Sequence, residues 1–259
     1  MPESAFSPVH EQLIASVPLR DGARIQTETV PYQHDGLELE GYLAHDASND
    51  ASHDEPLPAV LIVHDWTGVG PNVEMRAQML ARLGYVAFAA DIYGKGIRPT
   101  GDDASALAQT FYKDLPLLRA RVDAGYRRLA ADPRVDSNRI AVIGYCFGGS
   151  ATLEFARTGA DARGFVSFHG GLIVHDPSDA SAIRGPLLVL TGAADPVVPD
   201  ETIDAFKAEL RAAGDLDWQL VSYSGAPHAF TVPGSDRYRP VADARSWREL
   251  VGFLDEVLG

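Results

Sequence analysis

The stretch Gly144-Tyr145-Cys146-Phe147-Gly148 decides the fold to be expected of this sequence. It follows the apolar run Ile140 to Ile143 and precedes a helical pattern, so it predicts a very tight turn from a strand into a helix. Glycine on either side removes the Cβ atoms that would collide in such a turn. The side chain at its centre then projects above the carboxyl edge of the sheet. The stretch therefore predicts a nucleophile elbow with cysteine as the nucleophile.

Around this turn, short apolar or β-rich runs alternate with helical patterns. The predicted strands are Val60–Val63, Val86–Ala90, Ile140–Ile143, Phe165–Phe168, Leu187–Leu190 and Gln219–Tyr223. The predicted helices, with apolar residues at three- and four-residue spacing, are Glu74–Leu83, Ala104–Ala131 (with a break or kink at Pro116), Ser150–Ala156, Glu201–Ala213 and Ala242–Leu258. Because most strands are continuously apolar, both of their faces should be covered. The alternation predicts an α/β fold with a parallel sheet and helices on both faces.

The beginning of the chain has a different pattern. Ile25 to Val30 and Leu37 to Leu43 alternate in polarity and are separated by an Asp-Gly turn signal, which predicts an antiparallel hairpin at the sheet edge. With it the sheet should have eight strands, mostly parallel. The polar segment Asp46 to Pro58 predicts a surface loop. No repeat or linker divides the sequence, so we expect one α/β-hydrolase-like domain over residues 1–259.

Composition narrows the classes of function. The chain has 259 residues, and 36 acidic against 22 basic residues give a net charge of −14, which argues against nucleic acid and anionic membranes as partners. No apolar run approaches the roughly 18 residues of a membrane span. Met1 to Arg20 lacks a secretory pattern, so we expect a cytoplasmic protein. We also expect a monomer or a homodimer. The single cysteine forms no intrachain disulfide and no multi-cysteine zinc site.

A cysteine nucleophile needs a base and an acid that orients the base. In hydrolase sheets the chain order is nucleophile, acid, histidine. Asp195 follows the strand pattern Leu187 to Leu190, and His228 follows the next strand pattern. Both therefore lie at carboxyl ends of neighbouring strands, where open α/β sheets place ligands. Taken alone, Asp195 is explained as a turn residue and His228 as a surface histidine. Together with Cys146, in this order and at these strand ends, they predict a catalytic triad.

Other residues at the same edge are candidates for the pocket. His64 and His169 end strands there, and Phe230 follows the candidate base, so all three are predicted to line the pocket. A metal site from His64, Asp65, His169 and His175 is conceivable. However, no pair of these residues has the spacing of ligands on one helix face, and we expect no metal and no cofactor.

Two backbone N–H groups are predicted to hold the oxyanion. One belongs to Phe147, at the N-terminus of the helix after the elbow. The other belongs to Trp66, in the loop after the third strand, where this fold supplies its second donor. Asp65 in that loop would then lie close to Cys146. A carboxylate beside a thiol makes sense if it exchanges a proton or a hydrogen bond with it, so Asp65 is a candidate thiol-activating group.

Together these residues resemble the dienelactone hydrolase family, the carboxymethylenebutenolidase-like cysteine members of the α/β-hydrolase fold. The resemblance spans nearly the whole chain. Its markers are His64-Asp65-Trp66, Asp91-Ile92-Tyr93-Gly94, Gly144 to Gly149, Asp195 and His228-Ala229-Phe230. It implies that Cys146, Asp195 and His228 form the triad and that the substrate is a lactone or an enol ester.

The sequence departs from the family pattern in two places. The best-studied members have glutamate where this chain has Asp65. They also hold the carboxylate of dienelactone with arginines, but Phe230-Thr231-Val232 and the segment Thr100 to Tyr112 contain none. Arg98 or Arg237 would have to replace them in space. A neutral lactone or ester is therefore the expected substrate, rather than dienelactone.

The leading hypothesis is a hydrolase that opens a small lactone or cleaves a small ester through a Cys-His-Asp triad and a thioester. Two alternatives remain open. One is a non-catalytic ligand-binding or signalling protein on the same scaffold, because fold does not fix function. The other is a thiol-based redox sensor, which would need an external thiol because Cys146 has no second cysteine to resolve a sulfenate.

Overall fold

The computed structural model describes residues 6–48, 55–175 and 177–259. Backbone contacts group the chain into two compact units, 1–140 and 141–259. The boundary between them falls inside one strand. The single domain over residues 1–259 stays a prediction, and each unit is described by itself.

The first unit contains the predicted hairpin and two parallel strands. Its elements are α1 (Pro8–Ser16), β1 (Ile25–His34), β2 (Leu37–Asp46), β3 (Leu57–Val63), α2 (Pro71–Leu83), β4 (Val86–Ala90), α3 (Gly101–Lys113) and α4 (Leu115–Ala130). β2 pairs antiparallel with both β1 and β4, whereas β3 pairs parallel with β4. α2 packs on β2 and β4, and α4 packs on β1, β3 and β4.

The second unit holds the elbow. Its elements are β5 (Val135–Tyr145, which begins before the boundary), α5 (Phe147–Ala156), β6 (Gly164–Phe168), α6 (Pro177–Ala180), β7 (Leu187–Gly192), α7 (Asp200–Ala212), β8 (Trp218–Tyr223) and α8 (Pro240–Leu258). β5, β6, β7 and β8 pair in that order, all parallel. α5 packs on β6, and α8 packs on β6 and β7. The predicted fold class, a mostly parallel eight-stranded α/β fold with an antiparallel N-terminal hairpin, is confirmed.

Burial explains why the strand predictions succeed. Every residue of β4, β6 and β7 is buried, as expected of strands covered on both faces. The predicted break at Pro116 is also confirmed: α3 ends at Lys113, and Asp114 caps α4 by accepting a hydrogen bond from the Leu117 N–H at 3.0 Å. Proline suits the first turn of a helix because the N–H groups of that turn have no acceptor within the helix, so the missing N–H costs no hydrogen bond.

Two helices were not predicted from the sequence. α1 has no buried residue, and it begins after Ser7, whose N–H donates to His10 Nδ1 at 3.3 Å. α6 has four residues, which is too short for a periodic pattern. Of the predicted loop Asp46 to Pro58, residues 49–54 lie outside the described residues, and β3 already begins at Leu57.

Within residues 6–48, 55–175 and 177–259, no helix is both long and apolar enough to cross a membrane.

Candidate active site

Cys146 lies between β5 and α5 in an unusual backbone conformation. Its φ of 55° and ψ of −113° place a non-glycine residue in the positive-φ region, which is energetically unfavourable. Its N–H donates to the Phe168 carbonyl at 2.9 Å, and its own carbonyl accepts from Ser150 N–H at 3.2 Å. These bonds hold the turn from both sides. The thiol is consequently presented at the carboxyl end of β5 and is partly exposed.

The glycines around this turn are required by close approach. A Cβ on Gly144 would overlap the carbonyl oxygen of Gly148. A Cβ on Gly149 would lie 2.7 Å from Ser167 Oγ and 2.9 Å from Gly170 Cα. Only glycine lets α5 start this close to β5 and to the end of β6.

The structure brings together the three residues proposed as a triad, all in the second unit. Cys146 Sγ lies 3.0 Å from Nε2 of His228. Nδ1 of the same ring lies 2.9 Å from Asp195 Oδ2. The order of contacts, thiol to imidazole to carboxylate, is the arrangement that activates a nucleophile through an oriented base.

Asp195 is fixed by a second hydrogen bond. Its Oδ1 accepts from the Val197 N–H at 2.8 Å, which leaves Oδ2 for the imidazole of His228. The carboxylate is buried in the loop after β7, and the imidazole is buried in the loop after β8. The Val197 N–H was not predicted, because a backbone donor has no signature in the sequence.

The charge of His228 follows from its partners. Burial lowers its pKa, but the hydrogen bonds with Asp195 and Cys146, and the negative charges of both, raise the pKa to about 10. The imidazole therefore holds a proton at neutral pH, the form that pairs with a thiolate.

His169 and Phe230 lie next to this arrangement. His169 is fully buried, its Nε2 is 2.7 Å from Thr231 Oγ1, and its ring is 5.6 Å from that of His228. Phe230 is also fully buried, with its ring 5.2 Å from that of His169 and 5.4 Å from that of Tyr223. The sequence predicts both as pocket lining, and that role stays a prediction; in the structure His169 contacts the ring of His228, and Phe230 contacts the ring of His169.

His64, in the first unit, is a buried link between strand ends. Its Nε2 accepts from the Ile92 N–H at 3.1 Å, so Nδ1 carries the proton and donates to the Asp65 carbonyl at 2.6 Å. Burial is the main cause that lowers the pKa of His64, which keeps the ring neutral. These bonds connect the loop after β3 to the end of β4.

Asp65 and Trp66 form part of that loop. Asp65 Oδ1 accepts from the N–H and the hydroxyl of Thr67, at 2.9 and 2.6 Å, and Oδ2 accepts from Asn72 Nδ2 at 3.5 Å. The Trp66 carbonyl accepts from Tyr93 OH at 3.2 Å, while its indole is exposed. The predicted action of Asp65 on the thiol stays a prediction, as does the Trp66 N–H as an oxyanion donor.

The two arginines considered as substitutes differ in their surroundings. Arg98 donates to the carbonyls of Ile97 and Glu40, at 2.8 and 3.4 Å, and lies 3.8 Å from Asp91. Arg237 is exposed in the loop after β8.

The residues of the conceivable metal site have other partners. His169 is bonded to Thr231, and His175 Nε2 lies 2.7 Å from Glu154 Oε1. In the part of the chain that the structure describes, no three His, Cys, Asp or Glu side chains are grouped so that they could hold a metal ion.

Comparison with known proteins gives one consistent family. A model of the dienelactone hydrolase family matches residues 39–258. A protein of Bradyrhizobium sp., provisionally named 2-oxo-3-(5-oxofuran-2-ylidene)propanoate lactonase, is 29% identical over 76% of this chain and 83% of its own length. A protein of Yersinia pestis, provisionally named carboxymethylenebutenolidase, is 26% identical over 88% of this chain and 86% of its own.

A solved structure agrees over almost the full length. It is described as a dienelactone hydrolase-like promiscuous phosphotriesterase from metagenomic libraries. Its TM-score to this chain is 0.85 at 35% sequence identity, over 92% of this chain and 100% of the other.

Proposed function

Because this chain belongs to the dienelactone hydrolase family of carboxylic ester hydrolases, we propose that it opens a small lactone or cleaves a small ester through Cys146, His228 and Asp195. The observation that carries the proposal is the hydrogen-bonded series from Cys146 Sγ to His228, 3.0 Å, and from His228 to Asp195, 2.9 Å. This geometry supplies a nucleophile, a proton carrier and an orienting carboxylate in one place.

Acylation begins with the thiolate of Cys146 attacking the carbonyl carbon of the substrate. The S–C bond forms, and the carbonyl electrons move to oxygen. When the tetrahedral intermediate collapses, the C–O bond of the ester breaks, and the imidazolium of His228 gives its proton to the departing oxygen. The products of this half-reaction are an alcohol (the same molecule, if the substrate is a lactone) and a thioester on the enzyme.

Deacylation returns the proton. His228, now neutral, takes a proton from water as the water oxygen attacks the thioester. The S–C bond breaks, the carboxylic acid leaves, and the thiolate and imidazolium are restored. Asp195 keeps the ring in one orientation through both halves because Nδ1 remains bonded to it.

The oxyanion needs donors at the same place. Phe147 is the first residue of α5, so its N–H lies at the positive end of the helix dipole, next to the nucleophile. The Trp66 N–H is proposed as the second donor. Asp65 is proposed to assist thiol activation from the same loop.

A second substrate class is favoured by one comparison. The metagenomic relative, 35% identical, is described as a promiscuous phosphotriesterase. In that reaction the Cys146 thiolate would form an S–P bond as the P–O bond to the leaving group breaks, and His228 would give its proton to the leaving oxygen. Neutral His228 would then take a proton from water as the water oxygen attacks phosphorus, and the S–P bond would break to release the phosphodiester and restore the thiolate. Release of nitrophenolate from a neutral nitrophenyl phosphotriester tests this activity, which should depend on Cys146 like the esterase activity.

The test of the main proposal is an acyl adduct on one residue. The protein is mixed briefly with p-nitrophenyl acetate, and the reaction is then stopped with acid. The intact mass should increase by one acetyl group, and peptide mapping should place that group on Cys146. Cys146→Ala should show neither the adduct nor turnover while keeping its circular dichroism spectrum. Acylation of the Cys146→Ala variant equal to that of the wild type would reject Cys146 as the nucleophile, whereas a wild type with neither adduct nor turnover would favour a non-catalytic role.

A further inference from the structure

The loop that carries His228 is held by a second histidine that the proposed chemistry does not use. His169 follows β6 directly and is fully buried. Its Nε2 lies 2.7 Å from Oγ1 of Thr231, which is fully buried in the loop after β8. One buried hydrogen bond therefore joins the end of β6 to the loop of the proposed base.

The ring of His169 also contacts the ring of His228. Their centroids are 5.6 Å apart, with 67° between the planes, so the contact is edge to face. Two further rings enclose His169: Phe230 at 5.2 Å and Tyr145, the residue before the nucleophile, at 6.2 Å. The base is thus packed against a side chain that is itself fixed on several sides.

Each of the two segments joined by this link contains a residue in an unfavourable backbone conformation. His169 has a φ of 39°, and Ala229, directly after the proposed base, has a φ of 61°. Residues other than glycine keep such angles only where the surroundings hold them, and such strain is often found at functional sites. The His169–Thr231 bond is a contact that can hold both segments at once.

We propose that His169 is a positioning residue that acts through Thr231 on the imidazole of His228. The hydrogen bond fixes the course of the loop, and the ring contact opposes rotation of the imidazole away from Cys146. The catalytic consequence rests on the proposed function. The pairing of Cys146 with His228, however, can be measured without any ester.

The experiment measures the rate at which iodoacetamide alkylates Cys146, the only cysteine, from about pH 6 to about pH 9. Three variants are compared with the wild type: Thr231→Val, His169→Phe and the double variant. Thr191→Val is the matched control, because the Thr191 hydroxyl is buried and has no hydrogen-bond partner among the described residues. Urea denaturation of each protein gives its folding stability separately.

We expect Thr231→Val and His169→Phe each to slow alkylation near neutral pH by roughly three- to tenfold, with a smaller effect at the alkaline end. The double variant should be as slow as the single variants, neither slower nor recovered, since all three lack the same hydrogen bond. Thr191→Val should match the wild type.

The double variant also separates positioning from a merely structural role. It removes both partners of this hydrogen bond, so it should recover the part of the stability that a single variant loses by leaving one of them without the other. If alkylation recovers with stability, or if the single variants react like the wild type, the proposal is overturned. A wild-type protein that hydrolyses no ester but shows the expected alkylation series would reject the proposed function and leave the positioning role supported.

Discussion

Both ring nitrogens of His228 have partners, and both partners favour the charged imidazole. Nδ1 faces Asp195, and Nε2 faces Cys146. Burial opposes the charge, but these contacts outweigh burial and raise the pKa to about 10. A histidine with that pKa stays protonated at neutral pH, where an unperturbed histidine is mostly neutral.

The raised pKa predicts an alkaline limit of activity. The imidazolium is present below the raised pKa and is lost above it, so kcat/KM should fall as the pH rises through about 10. Asp195→Asn removes the carboxylate that raises the pKa, so its alkaline limb should move to lower pH, with a lower rate at neutral pH as well. The measurement is the pH profile of both proteins on one aryl ester, corrected for spontaneous hydrolysis. Limbs at the same pH would contradict the role given to Asp195.

At this scale the sequence indicates the residues proposed to react but not the groups that hold them. Cys146 could be assigned from the elbow pattern, and Asp195 and His228 from their order along the chain. The Val197 N–H and the Thr231 hydroxyl could not, since each acts through one contact that depends on how loops from different strands meet. His169 was recognised only by its place at a strand end.

The turn around Cys146 tolerates no side chain at Gly144, whereas the last helix contains a glycine at which a side chain should be stabilising. Gly252 lies in α8 and is exposed, and among the described residues no atom apart from its own neighbours in the helix lies within 4 Å of the position that a Cβ would occupy. Gly252→Ala should therefore raise the free energy of unfolding by about 0.5–1 kcal/mol, because alanine has the higher helix propensity. Gly144→Ala should lower it by about 1–3 kcal/mol or more, because its Cβ overlaps the Gly148 carbonyl.

Urea denaturation at neutral pH measures both effects as changes in the midpoint at constant slope. The two substitutions add the same methyl group, so opposite signs would show that the loss at Gly144 comes from its surroundings and not from the methyl group itself. A Gly144→Ala protein as stable as the wild type would mean that the elbow can open without cost.

Elements were predictable to the extent that they bury an apolar face. β4 was predicted with its observed bounds, Val86–Ala90, because all five residues are buried. β5 begins at Val135, whereas the sequence predicts Ile140. The prediction missed residues 136–139 because they are polar and at least partly accessible. Pairing, rather than hydrophobicity, extends strands of this kind, and the sequence carries little signal for it.

For the whole molecule, the net charge of −14 bears on the choice of substrate. A strongly negative protein repels anions at long range and slows their association, most of all at low salt. No arginine follows His228 closely, and Arg98 is engaged with the carbonyls of Ile97 and Glu40. The lack of an arginine soon after His228 and the negative net charge therefore both favour neutral substrates.

A matched pair of esters, one neutral and one with a carboxylate, tests this preference. The neutral ester should equal or exceed the carboxylated one in kcat/KM. A charge-assisted contact with arginine would be worth about 1.5–3 kcal/mol, but no arginine follows His228 closely along the chain to supply it. Both are measured at two salt concentrations. A preference of more than about tenfold for the acid that fades with salt would show that a cation such as Arg98 or Arg237 reaches the substrate, and would restore dienelactone as a candidate.

Because the thiol of Cys146 is partly exposed, the concentration of reactive thiol in a preparation can be titrated. Since the sequence contains one cysteine, a chromogenic disulfide should release at most one equivalent of its coloured thiol per chain. Any shortfall gives the fraction of a preparation whose sulfur is already oxidised or blocked. Every rate constant can then be referred to the concentration of competent sites rather than to total protein, and batches become comparable without a reference substrate.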